Sequence, residues 1–144
     1  MPLKVKYPVC KNDGKSFQII QLRVLRLTVK EPWFSLMLSG DKHMEFRNPS
    51  KWIKSRLYDK EGKPKKYDYV EIKNGYGRDR PVFLAKFDGF GTGYDGVYTF
   101  KTKPGLELKV EQTDYAIFLG EIVMQANINN GNNIKNNKES KQGA

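Results

Sequence analysis

Apolar and polar positions alternate along most of this chain, and the period lengthens in only two places. "KVKYPV" sets Val5, Tyr7 and Val9 on one side of an extended segment, and "KNDGK" follows with Asn-Asp-Gly turn chemistry. The apolar-rich "FQIIQLRVLRLTV" then reads as a long strand fed by that hairpin. Leu25 and Leu27 alternate there with Val24 and Arg26, so both faces expect partial cover. In "KEPWFSLMLSG" Trp33, Leu36 and Met37 recur at helical spacing. Pro32 suits a first turn, Glu31 favours the positive end of the helix dipole, and Gly40 is placed to end the helix. "NPSKWIKSRL" predicts a second short helix, capped by Asn48 and opened by Pro49, with Trp52, Ile53 and Leu57 facing inward.

After a lysine-rich turn, "YDKEGKPKK", period two returns in "YDYVEIKNGY" and "PVFLAKFDGF", two strand candidates joined by "GRDR". A glycine-rich stretch, "DGFGTGYDG", leads to "VYTFKTKPGLELKVEQ". "GFGTG" looks like a phosphate-gripping loop only until its sequel is read: no helix follows, so a barrel corner or a mobile lip is expected. In the closing "TDYAIFLGEIVMQ", Tyr115, Ile117 and Leu119 alternate with Ala116 and Phe118. Strands outnumber helices and the helices come early, which predicts an α+β fold, a small mixed β-barrel with two or three short helices. Residues 1–20 read as an N-terminal extension forming a hairpin and 21–126 as the domain. The asparagine-rich residues 127–144 read as a flexible tail.

Composition narrows the class. A chain of 144 residues is long enough for one core without disulfides, and 8 Phe, 8 Tyr and 2 Trp argue against global disorder. Cys10 has no partner for an internal disulfide and is expected to be a small apolar filler. With His43 the only histidine, the usual zinc patterns are excluded. No apolar run approaches a membrane span, and the first residues lack the apolar block of a secretory signal. The expectation is a cytoplasmic protein with no metal, no cofactor and no membrane partner. The net charge of +10 is uneven: residues 51–80 alone hold 10 basic and 5 acidic side chains, whereas 81–126 hold 4 and 6. Such a bias suits a polyanion, although a solubilising lysine-rich surface explains charge alone equally well.

The chemistry concentrates in "SGDKHMEFRNPSKW", which sets Gly40, Lys42, Glu45 and Arg47 around Met44 and Phe46. If residues 42–47 are a strand, Met44 and Phe46 point into the core while His43, Glu45 and Arg47 share the other face. Glu45 and Arg47 would then stand about 6–7 Å apart, near enough to pair or to grip one ligand. Spacing alone favours an ordinary surface ion pair.

"LTVKEPWFSLMLSGDKHMEFR" resembles the signature of ASCH domains, members of the PUA-like superfamily, in which a strand and a short helix lead into G-x-K-x-x-E-x-R. Gly40, Lys42, Glu45 and Arg47 fill the defining positions, and "DYAIFLGEIV" resembles the family's last core strand. The resemblance spans roughly residues 22–125, the middle only in style. It implies a PUA-like β-barrel whose motif-lined cleft faces nucleic acid, RNA in particular. Members include RNA-binding modules, ribonucleases and a small amidohydrolase that deacetylates N4-acetylcytidine. In that enzyme branch the motif lysine is catalytic, which corresponds to Lys42. A threonine stands there where this chain has Glu45, so the expected hydroxyl nucleophile is missing. Glu107 and Glu111 are the nearby acids, and neither aligns with the branch's downstream glutamate.

The leading expectation is therefore an RNA-binding module. Lys42 and Arg47 would contact phosphates or base edges, Glu45 would orient Arg47 or accept from an exocyclic amine, and Arg56, Lys65, Lys66, Arg78 and Arg80 would widen the basic surface. Among Tyr67, Tyr69, Tyr76, Tyr94 and Tyr98, most are expected to be structural. Tyr76, between glycines and near Arg78 and Arg80, is the best candidate for a free stacking ring. The alternative is a hydrolase of RNA or of a modified nucleoside, with Lys42 stabilising negative charge and Glu45 or His43 moving protons. Whether an acidic protein partner uses the basic surface instead is left open.

Overall fold

The computed structural model describes residues 3–10, 14–15 and 17–128. Residues 129–144, where most of the expected flexible tail falls, lie outside the described residues, as does the side chain of Cys10. Strand β1 (Leu3–Cys10) folds back antiparallel on β2 (Phe17–Val29), Leu3 opposite Val24 and Cys10 opposite Phe17, as the N-terminal alternation predicts. Because β2 runs unbroken for 13 residues, the hairpin shares its second strand with the rest of the sheet.

Helix α1 (Trp33–Leu38) follows β2. The Glu31 carboxylate accepts the Ser35 amide at 2.9 Å, supplying an acceptor to a free N–H of the first turn. Gly40 stops the helix at φ +85°, where a side chain would be strained. Strand β3 (Met44–Arg47) and helix α2 (Lys51–Leu57) come next. The cap of α2 lies two residues beyond the predicted Asn48: Ser50 is extended (φ −139°, ψ 164°) and its hydroxyl accepts the Ile53 amide at 3.2 Å. Pro49 accordingly precedes the cap. Ile53 and Leu57 are buried as expected, but Trp52 is 45 % exposed, its ring lying against the Arg56 guanidinium 5.1 Å from the centroid.

The remaining strands are β4 (Tyr69–Asn74), β5 (Val82–Gly91), β6 (Gly96–Thr99), β7 (Glu107–Val110) and β8 (Tyr115–Ala126). They form a six-stranded sheet in the order β1-β2-β4-β5-β8-β3, and a separate β6–β7 arm. Only β2 and β4 run parallel, so their connection must cross over, and it carries α1, β3 and α2. The five strands from β2 to β3 curl strongly into a half-barrel, giving a mixed α+β fold with two short helices. Leu25, Leu27, Val70, Ile72, Phe83 and Ile117 line its concave side, and the helices fill the hollow with Phe34, Met37, Ile53 and Leu57. Among the described residues no helix is long and apolar enough to cross a membrane.

Candidate nucleic-acid interface

Register with β8 decides which way the motif faces. Glu45 lies opposite Ile117 and Arg47 opposite Tyr115, and residues opposed across an antiparallel pair share a face. The charged pair therefore shares the side of two buried core residues, and Glu45 is itself buried. This reverses the expected parity. Met44 and Phe46 face outward and are half-buried, Phe46 against the β6–β7 arm with its ring 5.2 Å from that of Tyr98; Tyr94 stands 5.5 Å from Phe118.

Three charges can occupy the interior because they satisfy one another. The Lys42 ammonium donates to the Met44 carbonyl at 2.6 Å and to Glu45 Oε1 at 3.1 Å, and stands 5.7 Å from the ring centroids of both Trp33 and Phe46. Arg47 Nε donates to Glu45 Oε2 at 2.9 Å, and Nη2 donates to the Thr28 carbonyl at 2.7 Å. Side-chain exposure rises along this chain, from 4 % at Lys42 through 10 % at Glu45 to 26 % at Arg47. Burial holds the Lys42 ammonium below the usual lysine pKa. Glu45 offsets part of that and Arg47 adds to it.

Thr28 explains what the trio does. Strand β1 covers β2 as far as Val24, so among the described residues, 25–29 have no strand partner on that side. Across this seam the Arg47 guanidinium on β3 donates to a carbonyl of β2, where the two strands share no ladder of backbone bonds. Lys42 and Glu45 fix that guanidinium from behind, and of the three side chains Arg47 is the one with appreciable contact with solvent.

The other candidate residues fall into two further groups. Arg56, on α2, is half-buried; Lys65 and Lys66 follow on the return loop, with the Lys65 ammonium donating to the Ser55 carbonyl at 2.8 Å. Tyr76, Arg78 and Arg80 occupy the β4–β5 turn, where Tyr76 is 87 % exposed. Arg80 is exposed too, but its Nε bonds the Asn74 carbonyl at 2.7 Å and its side chain packs on Gly75. The turn joins the far end of β4 from Lys65 and Lys66, so the nine residues do not share one cleft. Tyr67 is buried and its hydroxyl donates to the Arg56 carbonyl; burial raises its pKa. His43 is exposed and contributes its carbonyl to the Leu119 amide at 2.8 Å. Trp33, which shares the helical spacing of Leu36 and Met37, is half-buried beside Phe100 whereas those two are buried.

Two features escaped sequence reasoning. Of the ten cations between 51 and 80, none forms an ion pair among the described residues. Seven of them, from Lys51 to Lys66, belong to α2 and its return loop. Tyr58, Phe87 and Phe90 also gather beside Lys65 and Lys66 around a cleft of about 530 Å³. The available signal was Gly89, which breaks period two between the phenylalanines. Among the described residues, no group of three or more His, Cys, Asp or Glu side chains is placed to hold a metal. Compared with protein-family models, curated proteins and solved structures, the chain matches none.

Proposed function

We propose that this protein is an RNA-binding module of the ASCH type, with its main contact surface on α2 and the loop that returns from it. One observation carries the reading: seven cations lie within sixteen residues of chain there, against two carboxylates, Asp59 and Glu61, and among the described residues none of the seven forms an ion pair. Lys51, Lys54, Lys60, Lys63 and Lys66 are exposed. A solubilising surface intersperses both signs and forms local pairs; an unpaired cluster sustains a positive potential and releases counterions when it meets phosphates. Arg47, held from behind by Glu45, adds a guanidinium at the seam, and the Tyr76 turn offers a second contact with Arg78 and Arg80. The motif's role in this reading is to shape the barrel and hold Arg47, while Lys42 stays inside.

The test is binding of labelled single-stranded RNA across a salt series. Each phosphate neutralised on a single strand contributes about −0.7 to the slope of log affinity against log salt. Lys60→Glu with Lys63→Glu, both at exposed positions, should flatten that slope by about 1.4 if each lysine meets one phosphate. Affinity that ignores salt, or that survives the double charge reversal unchanged, refutes the reading.

The hydrolase alternative draws on the loosened proton of Lys42. Its ammonium is enclosed by the Met44 carbonyl, Glu45 and two rings, which leaves no approach for a scissile bond without opening the seam. Turnover of N4-acetylcytidine or of RNA that disappears in Lys42→Met would restore it.

A further inference from the structure

The cleft beside Lys65 and Lys66 has the build of a ligand site. Two edge-to-face ring pairs line it, Tyr67 with Phe87 at 5.3 Å and Tyr58 with Phe90 at 5.3 Å. The chain from Gly89 to Thr92 forms another part of its wall; nothing lies within 4 Å of where a side chain at Gly89 would begin, while the Tyr94 ring covers Gly91. Here β5 bulges: from Phe87 to Phe90 it advances three positions while β8 advances two, from Leu119 to Ile117. One residue of β5 thus lacks a partner on β8, and its peptide groups stay outside that ladder. Gly89, at φ +94°, is the residue able to take up this turn. Lys65 and Lys66 supply positive charge at the edge, the Lys65 ammonium being steadied by the Ser55 carbonyl.

Each part selects something. Aromatic walls favour a flat ring, bulged backbone offers hydrogen-bond partners to a polar ring edge, and paired lysines favour an anion attached to that ring. A volume of about 530 Å³ lies within the range of about 300–1,000 Å³ usual for small-ligand sites. We propose that this cleft takes one unstacked nucleotide of an RNA strand, its base against Tyr58, Phe87 and Phe90 and its phosphate on Lys65 and Lys66. The strand part of this assignment rests on the RNA reading above; the nucleotide part rests on the cleft. The site is separate from the motif trio, whose buried charges do not line it.

The test titrates the full chain, followed by amide NMR, with uridine monophosphate, adenosine monophosphate, uridine and inorganic phosphate. Both monophosphates should shift the amides from Gly89 to Thr92 and those of Lys65 and Lys66. Uridine should bind more weakly at the same amides, and phosphate should leave those from Gly89 to Thr92 unmoved. Lys66→Glu, at an exposed site, should weaken the monophosphates about tenfold, the loss of one charge-assisted contact. Phe90→Ala should weaken them at least about fivefold, the lower end for removing a base-contacting ring; its thermal unfolding shows whether it still folds. Monophosphates that leave Gly89 to Thr92 unshifted, phosphate alone reproducing the shifts, or affinity unchanged in Lys66→Glu would each overturn the proposal. Salt-dependent RNA binding with no mononucleotide signal would sink the cleft assignment and leave the RNA reading standing. Mononucleotide binding without RNA binding would do the reverse.

Discussion

Replacing Glu45 by Gln tests whether the motif fastens the barrel. Both carboxylate oxygens of Glu45 accept from cations, at 3.1 Å from Lys42 and 2.9 Å from Arg47. The amide that replaces them can accept from one and must point its own N–H groups at the other. Removing one partner of a buried pair costs about 3–5 kcal/mol, most of it the penalty for the charge left behind. Arg47 can recover part of this through water, since its side chain is 26 % exposed, so the low end applies, about 3 kcal/mol. For a domain of this size that is a fall of about 10 °C in Tm. The measurement is thermal and urea unfolding by circular dichroism, with Lys42→Met/Glu45→Gln alongside. The double variant should regain a substantial part of the loss because no ammonium remains buried. Alkaline pH gives a second reading of the same physics. The folded Lys42 pKa lies below the ordinary 10.5, so the unfolded chain binds more protons in the window beneath 10.5 and stability rises with pH there. Without Glu45, which raises that pKa, the window starts lower, and the deficit of Glu45→Gln should shrink as pH climbs towards 10.5. A loss under about 1 kcal/mol, or strict additivity in the double variant, would refute the clasp.

Three further outcomes follow from separate parts of the fold. Ser50→Ala should cost about 1 kcal/mol in urea unfolding by leaving the Ile53 amide uncapped, while Asn48→Ala should change little. A β-carbon at Gly120 would meet the Asp88 carboxylate at 2.9 Å, but that carboxylate ends an exposed side chain that can turn aside, so Gly120→Ala should change stability by less than about 0.5 kcal/mol in urea unfolding. A loss well above about 1 kcal/mol would show instead that the Asp88 side chain cannot move aside. The Asp41 carboxylate accepts the Thr102 amide and hydroxyl at 2.9 and 2.7 Å, and these bonds hold its pKa below 3.8. Its hold on the segment from Lys101 should therefore be complete above 3.8 and lost as pH falls through the folded pKa, read from the Lys101 and Thr102 amide resonances.

Local periodicity was a good guide where one covering layer decides burial. The β1–β2 hairpin, the strands of the curled sheet and both helices follow from alternation, helical spacing and turn residues. It failed at β3, where a second layer comes from far along the chain. Phe46 is half-covered from outside by an arm that begins fifty residues later, which no window around the motif contains. Lys42 and Glu45 go inside because each finds an opposite charge there, a property of the set and not of any one residue. Trp52 was misjudged for a related reason: Arg56, one turn on, lies against its ring and leaves the indole at the surface. The scatter of Arg56, Lys65, Lys66, Tyr76, Arg78 and Arg80 was illegible because a single sequence does not say which ends of neighbouring strands meet.

The half-barrel is fastened along one line by a guanidinium where its other strands are laced by peptide groups. Any anion that draws Arg47 outward competes directly with the Thr28 carbonyl for the same protons. Capture of an anion by Arg47 would therefore loosen the shell, and deuterium uptake by residues 25–29 would gauge where that side chain is.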